Sequence, residues 1–142
     1  MASVVKAPLY TIEVLRLAGS LPDRVALDRV DGSAQLRSPT CGSTVHTAVK
    51  LDHGRVAAIS QEVRACAFGQ ASAALVAQHA AGRDRAEIAA MLANLAGWLD
   101  GSSDGSLGWG FEALEPARAR TARHGAILLP LRALLAATEA AA

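Results

Sequence analysis

Aromatic side chains are scarce: two Phe, two Trp and one Tyr in 142 residues. A core with so few rings has to be built from Ala, Val, Leu and Ile, each of which buries less area, so modest stability is expected. No apolar run reaches the roughly 20 residues that a membrane crossing needs. The longest, residues 125–137, is interrupted by Pro130 and Arg132. The chain reaches Glu13 without a secretory apolar run, so a cytoplasmic protein with no membrane partner is expected. An excess of one charge is missing too. Fourteen basic and thirteen acidic residues are mixed along the chain, giving a net charge of +1. No basic stripe interleaves with aromatics, which argues against nucleic acid as a partner. There is no P-loop, no GxGxxG turn and no nucleophile elbow, so a nucleotide-binding enzyme or a hydrolase is disfavoured.

Cysteine is equally sparse, with only Cys41 and Cys66. In a reducing cytosol such a pair seldom forms a structural disulfide; where the thiols act, they more often bind metal or do sulfur chemistry. The competing reading is that each is a small apolar filler. The length suits one domain over residues 1–142.

The hydrophobic pattern orders the elements. Residues 9–18 place Leu9, Ile12, Val14, Leu15 and Leu17 on a short helix. A first strand is expected over residues 24–30, followed by turn chemistry in Asp31-Gly32-Ser33-Ala34. Alternation over residues 43–51 sets Val45, Thr47, Val49 and Leu51 on one face. It recurs over residues 55–65 with Ala57, Ile59, Val63 and Ala65. Asp52-His53-Gly54 between them reads as a hairpin turn. After Cys66 the period changes to helical, with one helix running to Gly82. A second is capped by Asp84 and Glu87 and has a stripe of Ile88, Met91, Leu92, Leu95 and Leu99. A Gly/Ser loop (100–110), a short apolar element at 111–114 and a last helix from about 126 complete the chain; Pro130 is expected near that helix's first turn or at a kink. Strands first and helices after them indicate an α+β domain, a small antiparallel sheet with helices packed on one face.

The hairpin bears on the cysteines. Whether Asp52 pairs with Arg55 across a two-residue turn or Leu51 pairs with Arg55, continuing the ladder is expected to place Cys41 and Cys66 across from each other at the open end of the hairpin. Directly opposed Cβ atoms lie roughly 4.5–5.5 Å apart. The helix beginning near Phe68 also directs its N-terminus at Cys66, which favours the thiolate.

Ser38-Pro39-Thr40-Cys41-Gly42-Ser43 followed by Ala65-Cys66-Ala67-Phe68-Gly69-Gln70-Ala71-Ser72 resembles the N-terminal domain of NifU and its relatives IscU and SufU, the scaffolds on which iron–sulfur clusters are assembled. Pro39, Thr40, Cys41 and Gly42 match the family's first cysteine turn, Cys66, Ala71 and Ser72 its second motif, and residues 127–134 its last helix start. The inserted Gly/Ser loop is closer to the SufU branch. The resemblance implies a three-stranded antiparallel sheet with helices on one face. It implies iron or a [2Fe–2S] cluster as cargo, with zinc as the alternative, and a cysteine desulfurase and apo-protein clients as partners. Such a protein is not an enzyme in the turnover sense.

The family set is three cysteines and an aspartate, and this chain keeps two of the four. Ala126 stands at the third cysteine position and Ser43 at the aspartate position; a neutral hydroxyl is a poorer ligand than a carboxylate. His124 is the nearby candidate for a third donor, against the alternative of a solvated residue at the helix end. His46, His53 and His79 are discounted as ligands, His79 as an exposed mid-helix residue. Arg118, Arg120 and Arg123 read as a solvated face or as a docking patch for an acidic partner. Trp98 and Trp109 read as core or loop anchors. Two rival functions stay open: a ligand-depleted paralogue serving as a desulfurase-binding adaptor or regulator, and a zinc-holding sulfur acceptor.

Overall fold

The computed structural model describes residues 10–39 and 42–141. Helix α1 (Ile12–Gly19) begins at Thr11, whose hydroxyl oxygen accepts the Val14 N–H at 3.1 Å, one of the donors that a helix start leaves unpaired. Of the expected stripe, Val14 is buried, whereas Ile12 and Leu15 are exposed. Leu9 lies outside the described residues. The reason is geometric: among the described residues α1 rests mainly on the helix after the hairpin and on a later 3₁₀ turn, which leaves its other side uncovered. The Tyr10 ring, 5.0 Å from Phe68, anchors its start.

The strand expected over residues 24–30 is absent, because that segment has no regular structure. Strand β1 is instead Gly32–Arg37, which starts within the expected turn. Its sequence holds no β-branched or aromatic residue and so has little strand preference. Antiparallel pairing from Gly32↔Val49 to Arg37↔Thr44 makes it a strand, as tertiary context can do. Glycine is required at its start, since a Cβ on Gly32 would collide with the Ala137 carbonyl oxygen.

Strands β2 (Thr44–Asp52) and β3 (Arg55–Arg64) form the hairpin, and the sheet order is β1-β2-β3. His53 and Gly54 both have positive φ, 52° and 77°, the combination by which a two-residue turn matches strand twist. Asp52 pairs with Arg55 and Leu51 with Val56, but Lys50 pairs with Ala58. Ala57 is therefore an extra residue, a bulge. Beyond it the ladder is displaced by one. Val56, rather than the exposed Ala57, faces the core, followed by Ile59, Gln61 and Val63.

Helices α2 (Ala67–His79) and α4 (Thr121–Ala140) pack on one face of the sheet, with α1 on α2 and α3 (Arg85–Asp100) on α4. Helix α2 ends at His79, short of the expected Gly82. Helix α3 has the expected capping box between Asp84 and Glu87. Ile88, Leu95 and Leu99 are buried, with Met91 and Leu92 packed partly against them. A 3₁₀ turn, Phe111–Ala117, precedes α4. Helix α4 starts five residues earlier than expected, so Pro130 falls mid-helix. Proline donates no N–H, which frees the Ala126 carbonyl one turn back. That carbonyl lies against Gly69 of α2, where an added Cβ would come within 3.2 Å of its oxygen. The Gly/Ser loop is pinned by Trp109, stacked 5.8 Å from His79 and 6.2 Å from Phe111. His79 is thus a half-buried stacking partner at a helix end, not an exposed mid-helix residue.

Candidate functional site

The open end of the hairpin is where the sequence motifs meet. Its last pairs are Arg37↔Thr44 and Thr44↔Arg64. The connection from β1 to β2 is closed by two backbone bonds, from Ser38 N–H to the Ser43 carbonyl (2.8 Å) and from Gly42 N–H to the Ser38 carbonyl (3.0 Å). Gly42 takes φ +72°, which glycine adopts without strain. Thr40 and Cys41 belong to this connection and lie outside the described residues.

Two residues past Arg64, Cys66 is the N-cap of α2, with extended backbone (φ −66°, ψ 173°). Its carbonyl accepts the Gln70 N–H at 2.9 Å. The residue is half-buried, packed partly against the main core, and its thiol is free. Cys66 therefore stands at the helix N-terminus, as the change of period implied, and its side chain makes no capping hydrogen bond. The bulge displaces the expected register by one, and the ladder ends at Thr44↔Arg64, short of Cys66; Cys41 lies outside the described residues.

Behind Cys66 the helices approach closely. A Cβ on Gly69 would lie 2.6 Å from the Ala65 Cβ and 3.4 Å from the Ala126 Cβ, so Ala126 sits against the first turn of α2. It is 1% exposed. The Ser72 hydroxyl, fully buried, donates to the Ile127 carbonyl at 2.6 Å and ties α2 to α4. Ser43 is buried beside the loop. His124, half-buried in the first turn of α4, has Nε2 at 2.9 Å from the Ala117 carbonyl oxygen and 3.0 Å from that of Arg118. Two acceptors fix the proton on Nε2, which leaves Nδ1 as the nitrogen able to meet a metal. Among the described residues no three His, Cys, Asp or Glu side chains group as a metal site. Of the arginines, Arg118 serves the fold. It donates to the Trp98 carbonyl (2.8 Å), pairs with Asp104 (2.9 Å) and covers the Trp98 ring at 4.9 Å. His46 was discounted as a ligand; it lines cavities on the sheet face away from the helices.

No family model and no curated protein matches the chain. Among solved structures, a nitrogen-fixing NifU-like protein (N-terminal) from Brucella abortus is 30% identical, with 92% of each chain covered and a TM-score of 0.85. A protein assigned as an iron–sulfur cluster assembly scaffold for the SUF system, from thermophilic Fervidobacterium islandicum AW-1, has the same fold at 16% identity. There the match covers 92% of this chain and 96% of that one, with a TM-score of 0.78.

Proposed function

The chain belongs to the NifU-like N-terminal domain family, and from that membership we propose that it is a scaffold or carrier for iron–sulfur cluster assembly. Cys41 and Cys66 take iron or a [2Fe–2S] cluster, or accept persulfide sulfur from a cysteine desulfurase in the cytoplasm. The observation that supports this best is the placement of Cys66 as N-cap of α2, one strand away from the loop that contains Cys41. The thiolate is the form that binds iron and attacks sulfur. A cluster needs four protein donors. One chain offers two thiolates, His124 through Nδ1 and, weakly, Ser43. With Ser43 so weak a donor, an iron position is left open to a thiolate of an apo-protein client, which suits carriage better than storage. Anaerobic reconstitution with iron and sulfide tests the proposal. Sulfur-to-iron charge-transfer absorption is expected in the wild type and lost in the Cys41→Ser/Cys66→Ser variant; no absorption in the wild type rejects it.

A second reading has its own support. Ala126, at the position where the resemblance puts the family's third cysteine, is buried against α2. An adaptor that binds a desulfurase without carrying metal fits that replacement. Desulfurase capture by metal-free protein, undiminished in the double serine variant, would favour it.

A further inference from the structure

The sheet face turned away from the helices carries a cavity that the thiol site does not use. Residues 21–31 cross this face without regular structure, tied down at three places. Arg24 bonds Glu62 through Nη1 at 2.7 Å, and Asp28 pairs with Lys50 at 3.2 Å. At Leu51 the carbonyl accepts from Arg29 (2.8 Å) and the N–H donates to Asp31 (2.7 Å). Beneath the segment lies a cavity of about 440 Å³, within the roughly 300–1,000 Å³ of small-molecule sites. Val25, Leu27, Val30 and Ala48 supply apolar walls. Val25 and Val30 remain 52% and 54% exposed, so an occupant would take further apolar surface out of water.

The polar groups are few and of one kind. Arg24, His46 and Ser60 line the cavity, and no acidic side chain does. His46 and Ser60 make no side-chain hydrogen bond with any described residue, although Ser60 is only 7% exposed. Arg24 engages Glu62 through Nη1 alone, which leaves other guanidinium donors for an incoming acceptor. We propose that this cavity binds a small amphipathic monocarboxylate, its tail along Val25, Leu27, Val30 and Ala48 and its carboxylate on Arg24, His46 and Ser60. Arg24 is the one arginine or lysine of the lining and no carboxylate lines it, which favours an anion, and the apolar wall favours one with a hydrocarbon part. The site is independent of the thiols.

Octanoate is the probe, titrated into the isotope-labelled full chain while backbone amide shifts are followed. Saturable shifts confined to residues 24–30, 46–48 and 60 are expected, unchanged in the Cys41→Ser/Cys66→Ser variant, so this result stands or falls apart from cluster binding. Arg24→Gln removes a charge-assisted partner and weakens binding about tenfold or more. Glu62→Gln breaks the same tie across the sheet but keeps the arginine charge, and binding is retained or tightened. The inference is overturned if millimolar octanoate produces no saturable shift, if octylammonium binds equally well, or if Glu62→Gln weakens binding as much as Arg24→Gln.

Discussion

Gly69 and Gly97 both lie inside helices, and replacing each with alanine separates packing from helix preference. Alanine is favoured over glycine in a helix interior by about 1 kcal/mol. At Gly97 in α3 the nearest obstacle to a new Cβ is the Ser102 hydroxyl at 3.2 Å. That side chain can rotate away at the cost of its own long bond to the Gly97 carbonyl. Gly97→Ala should therefore gain about 0.5 kcal/mol. At Gly69 the new Cβ would stand 2.6 Å from the Ala65 Cβ and 3.2 Å from the Ala126 carbonyl oxygen. Neither is the end of a flexible side chain, so backbone must move, and overpacking of this kind costs about 1–3 kcal/mol. The difference between the two variants, from which helix preference cancels, is then about 0.5–2.5 kcal/mol in favour of Gly97→Ala. Urea unfolding reads it as a midpoint difference on the order of 1 M at equal slope. Because Ala65 directly precedes Cys66, Gly69→Ala should also lower cluster yield on reconstitution, and Gly97→Ala should not. Equal midpoints, or a more stable Gly69→Ala, would refute the claim that close approach of α2 and α4 shapes the site.

Ser72→Ala removes the buried bond to the Ile127 carbonyl and should cost about 1–2 kcal/mol in the same unfolding experiment; Ser72→Thr would test whether a hydroxyl alone suffices. Acid stability should track the segment over the outer sheet face. The Leu51 N–H, joined by Arg29, holds Asp31 below its ordinary pKa, and the Lys50 ammonium does the same for Asp28. A lowered folded-state pKa gives stability that is present above the ordinary value, roughly 4, and lost as pH falls through the folded value below it. Asp31→Asn should therefore lose less stability than wild type on acidification below about pH 4, checked by thermal melts across that range; an unchanged acid profile would sink the assignment.

The elements written in local chemistry were legible in the sequence. Asp84 and Glu87 announced the α3 cap, and His53-Gly54 announced the turn, because each depends on a few adjacent residues. Strand β1 was not legible, since Gly32 and Ser33 look like a turn until Val49 and Ala48 lie beside them. The bulge was hidden for a related reason: residues 56–59 are all apolar, so the sequence offers no polar beat to show where alternation slips. Pro130 misled because the Ala126 carbonyl that it frees lies close to Gly69, sixty-one positions before the proline, a contact that local sequence does not show. At the site, the period change at Cys66 correctly put it at a helix start. The close fit of Ala126 behind it depends on how α4 crosses α2, which periodicity does not encode.

Ala57 has a bearing on how this chain is matched to its relatives. Deleting a residue from a regular strand turns every later side chain to the opposite side. Here, removal of that single residue would join Val56 to Ala58 and keep Lys50, Val49 and all pairs beyond them as they stand, changing the local twist and little else. Length can thus vary at this point without disturbing the interior, and residue-by-residue transfer from a homologue with an uninterrupted β3 must open a gap there or arrive at Cys66 one place out of step.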